Sequence, residues 1–221
     1  MKPIRVIALS MLVFCFIGVI KAEQSKAEQS SKPLIPSSVM LQYTAAAKGD
    51  SDANEEAYEA LIKLHKKHPG SALANTVLGS SEAMRARDSF IPWRQLKYLE
   101  KGMSLMDKGV QLLQPKDHLE LFEGIPVSLW VRNTAGCTFI ELPEQFNRLE
   151  MGYQLLQKTL DSKEVAGLPF ASKASTYLCA GIAAEKMGEK QAARQFLELI
   201  ASELPSEDEH AREARSLLQK L

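Results

Sequence analysis

The fold of this chain is decided by residues 174–207, which read ASTYLCAGIAAEKMGEKQAARQFLELIASELPSE. Apolar and small side chains recur every three or four residues on both sides of Gly188, which is the spacing of an α-helix and not of a strand. Gly188 can adopt the left-handed conformation that ends a helix, and Pro205 prevents a second helix from continuing. The stretch therefore predicts two helices joined by a tight turn.

The same periodicity extends over residues 37–221, and no stretch alternates apolar and polar residues as a half-buried strand does. We predict an all-α fold in which Pro126 kinks or shortens the fifth helix and residues 133–142 form an irregular loop. The nine predicted helices begin at or near Ser37, Asp52, Ser71, Pro92, Asp117, Pro143, Pro169, Gly188 and Ser206.

One set of residue spacings is more specific than the general helical periodicity. Positions 4, 8, 11, 15, 20, 24 and 32 of a 34-residue frame starting at Ala174 hold Tyr177, Gly181, Ala184, Gly188, Ala193, Leu197 and Pro205. This pattern resembles the tetratricopeptide repeat (TPR). The resemblance is strong in residues 174–207, moderate in 36–69 and irregular between them. It implies a right-handed α-α superhelix of about four TPR-like helical hairpins, with a C-terminal helix capping the stack.

The resemblance also implies a protein or peptide partner, because proteins of this family hold ligands on a concave face lined by the first helix of each hairpin. The corresponding positions are mostly apolar, which favours an apolar or helical ligand, or self-association. These positions are Val39, Tyr43, Ala46, Ser175, Leu178, Ile182 and Glu185. The alternative is a small-molecule carrier or enzyme whose pocket lies between the concave face and the 133–142 loop.

Both tryptophans have arginine neighbours, a combination that is common at the centre of protein interfaces. The tryptophans alternatively pack between hairpins as core residues. Both interpretations, an interface and a core, stay open at this point. The candidate partner-binding residues are Tyr43, Arg85, Trp93, Arg94, Trp130 and Arg132.

The net charge of the whole chain is zero, with 27 basic and 27 acidic residues, and 45% of its residues are hydrophobic. This composition is typical of a globular protein and excludes a disordered chain. Residues 1–22 carry three basic residues and no acidic one around an apolar run over residues 6–20, which predicts a secretory signal peptide. The remaining chain then has a net charge of about minus three, which disfavours nucleic-acid binding.

The leader predicts an exported protein, periplasmic or secreted. If the signal is not cleaved, residues 6–20 instead anchor the chain to a membrane. Residues 23–36 are polar and low in complexity, which predicts a flexible linker before the TPR-like domain at 37–221.

We predict no catalytic site, no metal and no cofactor. Asp50 and Ser51 lie in a turn between helices, where capping explains them. His65 and His68 lack a third ligand in their segment. An oxidising compartment would allow Cys137 and Cys179 to form a disulfide; otherwise Cys179 is a small core residue and Cys137 a free thiol in a loop.

Overall fold

The computed structural model describes residues 33–221, and most of them are helical. The all-α prediction is therefore confirmed, although the described residues also contain one very small sheet. The predicted signal peptide, the membrane anchor and most of the linker lie outside the described residues. The helices are α1 (Ser37–Ala47), α2 (Ser51–Lys67), α3 (Ala72–Asp88), α4 (Pro92–Gln111), α5 (Val127–Glu141), α6 (Leu149–Leu160), α7 (Lys163–Ala166), α8 (Phe170–Lys186), α9 (Lys190–Glu203) and α10 (Glu209–Leu218).

Capping residues and turn glycines explain where several of these helices begin and end. The Asp50 carboxylate accepts a hydrogen bond from the Ala53 amide at 3.0 Å, and the Ser71 hydroxyl accepts one from the Ala74 amide at 3.2 Å. Each satisfies a backbone donor that a helix start leaves free. Gly49 and Gly188 have φ angles of 107° and 79°, as expected for glycines that end α1 and α8. The last helix differs in detail, because Asp208 caps α10 in place of Ser206.

The segment between α4 and α5 does not form the predicted fifth helix. The Asp117 carboxylate accepts a hydrogen bond from the Gln114 amide at 2.7 Å, so it closes a 3-10 turn over Pro115–His118 and does not cap an α-helix. An antiparallel hairpin follows, with β1 at Leu121–Phe122 and β2 at Ile125–Pro126. Its two turn residues, Glu123 and Gly124, both have positive φ, as a tight hairpin turn requires. The absence of strands was therefore a wrong prediction.

The 133–142 loop was also a wrong prediction, because most of that segment belongs to α5. Val131, Ala135 and Phe139 follow one another at four-residue spacing and are all buried, which is the helical signal that the sequence contained. Pro126 precedes the helix and does not kink it. The sixth predicted helix begins later than Pro143, since a 3-10 turn at Glu144–Phe146 precedes α6. The short helix α7 was not predicted.

The helices pack in sequence order within one unit, residues Ser37–Leu221. Four hairpins, α1/α2, α3/α4, α5/α6 and α8/α9, are joined by contacts from the second helix of each to the first helix of the next. The first helices α1, α3, α5 and α8 also contact one another in that order. Helix α10 packs on α9 and α8 at the end of the series.

Three hairpins share one packing detail, a glycine in the first helix that lies against the second helix. A Cβ atom on Gly79 would lie 2.7 Å from the Gly102 carbonyl oxygen, and one on Gly136 would lie 2.8 Å from the Leu156 side chain. A Cβ on Gly181 would lie 3.0 Å from Leu197. The two helices of each of these hairpins therefore approach closely at a glycine, most tightly at Gly79, where the facing atom is backbone.

This close approach predicts that Gly79→Ala lowers the free energy of unfolding by about 2 kcal/mol, because the added methyl group meets backbone on the facing helix. The loss is expected even though alanine favours a helix over glycine by about 1 kcal/mol. Urea unfolding of the two proteins measures it. Gly70→Ala is the control, since nothing lies within 4 Å of its Cβ position. Equal stabilities of the two variants would show that α3 and α4 are not in close contact.

Candidate functional site

An apolar opening lies where the end of α1, the second half of α3, the start of α4 and the end of α5 meet. We call it the α3–α5 groove; its volume is about 630 Å³ and it is open to solvent. Small side chains on α3 create the space, because Ser80, Ala83 and Ala86 stand where larger residues would fill it. The remaining lining residues are Ala47, Met84, Arg87, Gln95, Leu99, Cys137, Thr138, Glu141, Leu142 and Pro143.

The polar side chains around the groove already have partners. Arg87 donates a hydrogen bond of 2.9 Å to the Ala46 carbonyl oxygen, and Gln95 donates one of 2.6 Å to the Ser89 carbonyl oxygen. The Thr138 hydroxyl donates to the carbonyl oxygen one turn earlier in α5. What the groove offers to a ligand is therefore mainly apolar surface with a fixed polar rim.

One wall of the groove is tied to the neighbouring hairpin. The sulfur atoms of Cys137 in α5 and Cys179 in α8 lie 2.13 Å apart, and their Cα atoms are 5.4 Å apart. Lys186 of α8 adds a hydrogen bond of 2.8 Å to the Ile140 carbonyl oxygen and an ion pair of 3.0 Å with Glu141. These contacts hold the end of α5 in place beside the groove.

The predicted partner-binding residues do not form one surface. Tyr43 is buried, and its hydroxyl donates to the Ser80 hydroxyl at 2.9 Å, so it is an internal residue of this structure. Burial raises the pKa of this phenol, and its hydrogen bonds offset part of the shift. Trp130 is half-buried and packs edge-on against Phe122 of the hairpin, with 5.3 Å between ring centroids. Arg132 lies against a different cavity, described below.

Two candidates are accessible. Trp93 and Arg94 lie at the start of α4, and the Trp93 side chain is 73% exposed. Phe90, which the sequence reading did not single out, is 99% exposed in the adjoining turn. Trp93 and Phe90 are therefore aromatic residues that a partner could reach.

Arg85 belongs to a polar cluster between α2, α3 and α4, which we call the Glu82 cluster. The fully buried Glu82 carboxylate accepts hydrogen bonds from the Tyr58 hydroxyl at 2.7 Å and from Arg85 at 3.3 Å, and it pairs with Lys101. Arg85 also pairs with Glu55 at 2.9 Å, and its guanidinium lies 3.9 Å from the centroid of the Tyr58 ring. These contacts hold Arg85 in place, and together with the predicted Arg94 it lines a smaller open pocket between α2, α3 and α4.

The ionisation of the Glu82 cluster follows from these contacts. Burial raises the pKa of Tyr58, and its hydrogen bond to Glu82 adds to the shift. Burial alone would lower the pKa of Lys101 and of Arg85, but the facing carboxylates and the phenol outweigh it and raise both. Both cations therefore stay charged around Glu82 at neutral pH.

The concave positions implied by the resemblance are only partly open. Tyr43, Ala46 and Leu178 are buried, so they belong to the interior. The groove is instead lined by α3 and α5, which belong to the hairpins in which the TPR spacing is weakest. The sequence does contain a signal for the groove, namely the small residues on α3. The 34-residue repeat frame does not include them.

Metal-ligand geometry is absent from the described part of the chain, where no three His, Cys, Asp or Glu side chains converge. His65 is half-buried, and its ring nitrogen Nε2 lies 3.0 Å from the Asn75 side-chain oxygen. Within residues 33–221, no helix has both the length and the apolar character that crossing a membrane requires.

Comparison with known protein families, with curated proteins and with solved structures found no match to this chain.

Proposed function

We propose that this chain is an exported, non-catalytic, TPR-like scaffold that binds a segment of a protein or peptide partner in the α3–α5 groove. The observation that carries the proposal is the groove itself, whose accessible lining is mainly apolar and whose polar rim is already hydrogen-bonded. A ligand that matches it presents apolar side chains on one face, as an amphipathic helix does.

The TPR-like arrangement rests on the hairpins. The order of helix contacts and the repeated glycine at Gly79, Gly136 and Gly181 support a stack of related hairpins, which would curve as a right-handed superhelix. Export is supported by the basic and apolar leader and by a pair of cysteines at bonding distance.

Site-specific crosslinking in the envelope fraction tests the proposed binding site. A photoreactive residue at Thr138, in the groove, should give a protein adduct, whereas one at the exposed Ala171 on α8 should not. Ala83→Trp should abolish the Thr138 adduct because the indole fills the groove, while Ala171→Trp should leave it unchanged. Equal adducts from both positions, or an adduct that survives Ala83→Trp, would contradict the proposal.

The second candidate function is a small-molecule carrier or enzyme. The specific observation in its favour is the volume of about 630 Å³, because ligand pockets usually measure about 300–1,000 Å³. Native mass spectrometry of the purified protein separates the two functions. A bound small molecule that Ala83→Trp expels, together with no protein adduct at Thr138, would favour the carrier.

A further inference from the structure

A second cavity, distinct from the α3–α5 groove, contains a buried arginine. The cavity has a volume of about 730 Å³, is wide open to solvent, and lies between the 3-10 turn at Pro115–His118, the first half of α5, the second half of α6 and the turn that follows α6. Arg132 and Glu141 are nine residues apart on α5, which is two and a half helical turns, so this cavity and the groove lie on opposite sides of the helix.

Arg132 is only 8% exposed. Among the described residues, no hydrogen bond, ion pair or aromatic ring is placed against its guanidinium, although every other buried ionised side chain described has such a partner. Burial lowers the pKa of Arg132, and the more distant Glu164 only partly offsets the shift. Unlike His118 Nδ1 and Trp130 Nε1, the guanidinium nitrogens are not sealed from solvent, so the end of this mostly buried side chain can be reached through the cavity. Partly desolvated cations of this kind concentrate at binding sites.

The nearby carboxylates do not neutralise it. Glu164 lies 3.7 Å from the His118 ring nitrogen, and no ion pair within 4.0 Å joins it to Arg132 in the described chain. Asp161 lines the cavity without an ion pair to Arg132. The guanidinium therefore faces the cavity with its donors unused.

We propose that this cavity binds a small anion with a carboxylate or phosphate group through Arg132, with Lys158 as a second positive group. The planar guanidinium matches the two oxygens of a carboxylate or a phosphate, and Lys158 is an exposed ammonium on the cavity lining. Gln157 adds an amide to the same lining. Asp161 lies on the same lining and lowers the positive potential there, so the site favours a small anion over a polyanion.

Thermal unfolding and calorimetry of the full chain test this site, with succinate and inorganic phosphate as probes and sodium chloride at matched ionic strength as the reference. We expect at least one probe to raise the unfolding temperature of the wild type above the chloride reference. A larger shift with succinate identifies a carboxylate ligand, and a larger shift with phosphate identifies a phosphate ligand.

Arg132→Met should weaken binding of that probe at least tenfold and remove the temperature shift. Lys158→Gln, at an exposed position, should weaken binding severalfold without changing the fold. Arg212→Met, an exposed arginine on α10, is the matched control and should bind as the wild type does. Without ligand, Arg132→Met should be about as stable as the wild type, since no hydrogen bond or ion pair of the described chain is lost with the guanidinium.

Three results would overturn the proposal. They are the absence of any probe-specific shift in the wild type, equal shifts in the wild type and Arg132→Met, and a marked loss of stability or folding in Arg132→Met. The last would show that the guanidinium stabilises the fold itself. These results leave the groove proposal unaffected, because its test uses other residues and crosslinking.

Discussion

Glu82→Gln is expected to lower the free energy of unfolding by about 3 kcal/mol, which is typical of removing one partner from a buried ion pair. The Glu82 side chain is completely buried, and it faces both Arg85 and Lys101. Glutamine keeps the size of the side chain but removes its charge, so Lys101 loses its carboxylate partner and Arg85 loses the buried one of its two partners. Urea unfolding followed by circular dichroism measures the loss.

Glu55→Gln is the matched control, because Glu55 pairs with the same arginine but its side chain is 62% exposed. Water and salt screen that pair, and its loss should cost no more than about 1 kcal/mol. Similar losses in the two variants would show that burial of Glu82 does not set the strength of the cluster. The comparison therefore separates the effect of burial from the effect of pairing with Arg85.

The sequence predicted most helices because their signals are local. Caps such as Asp50 and Ser71, the turn glycines Gly49 and Gly188, and four-residue spacing lie within a few residues of the structure that they determine. Between α4 and α6 the same rules failed. Asp117 acts on a residue that precedes it, and the turn at Glu123 and Gly124 reverses the chain where we predicted a helix.

The candidate site was harder to predict because it depends on distant parts of the chain. The groove requires α3 and α5 to lie side by side, and they are joined through a long α4, a 3-10 turn and a hairpin. The residues that set the hairpin geometry, Gly79 against Gly102 and Gly136 against Gly152, are separated by connections of different length. A repeat frame of fixed length therefore cannot align the two glycine pairs in the sequence. Their equivalence is visible only in the contacts between the folded helices.

Replacing both cysteines, as Cys137→Ser with Cys179→Ser, is expected to lower the free energy of unfolding of the oxidised protein by about 4 kcal/mol. The two residues are 42 positions apart, so a bond between them restricts a long segment of the unfolded chain. Without the bond, the unfolded chain regains most of that conformational freedom, so the folded state becomes less stable relative to it. Chemical unfolding of the oxidised wild type and the double variant measures the difference.

A reducing agent supplies the control for this prediction. It should lower the stability of the wild type to about that of the double variant and leave the double variant unchanged, because only the wild type has the bond to lose. Equal stabilities of oxidised and reduced wild type would show that the bond does not form or does not constrain the unfolded chain. Because Cys137 lines the α3–α5 groove, the same reduction should also weaken the Thr138 crosslink if α5 depends on α8 for its position.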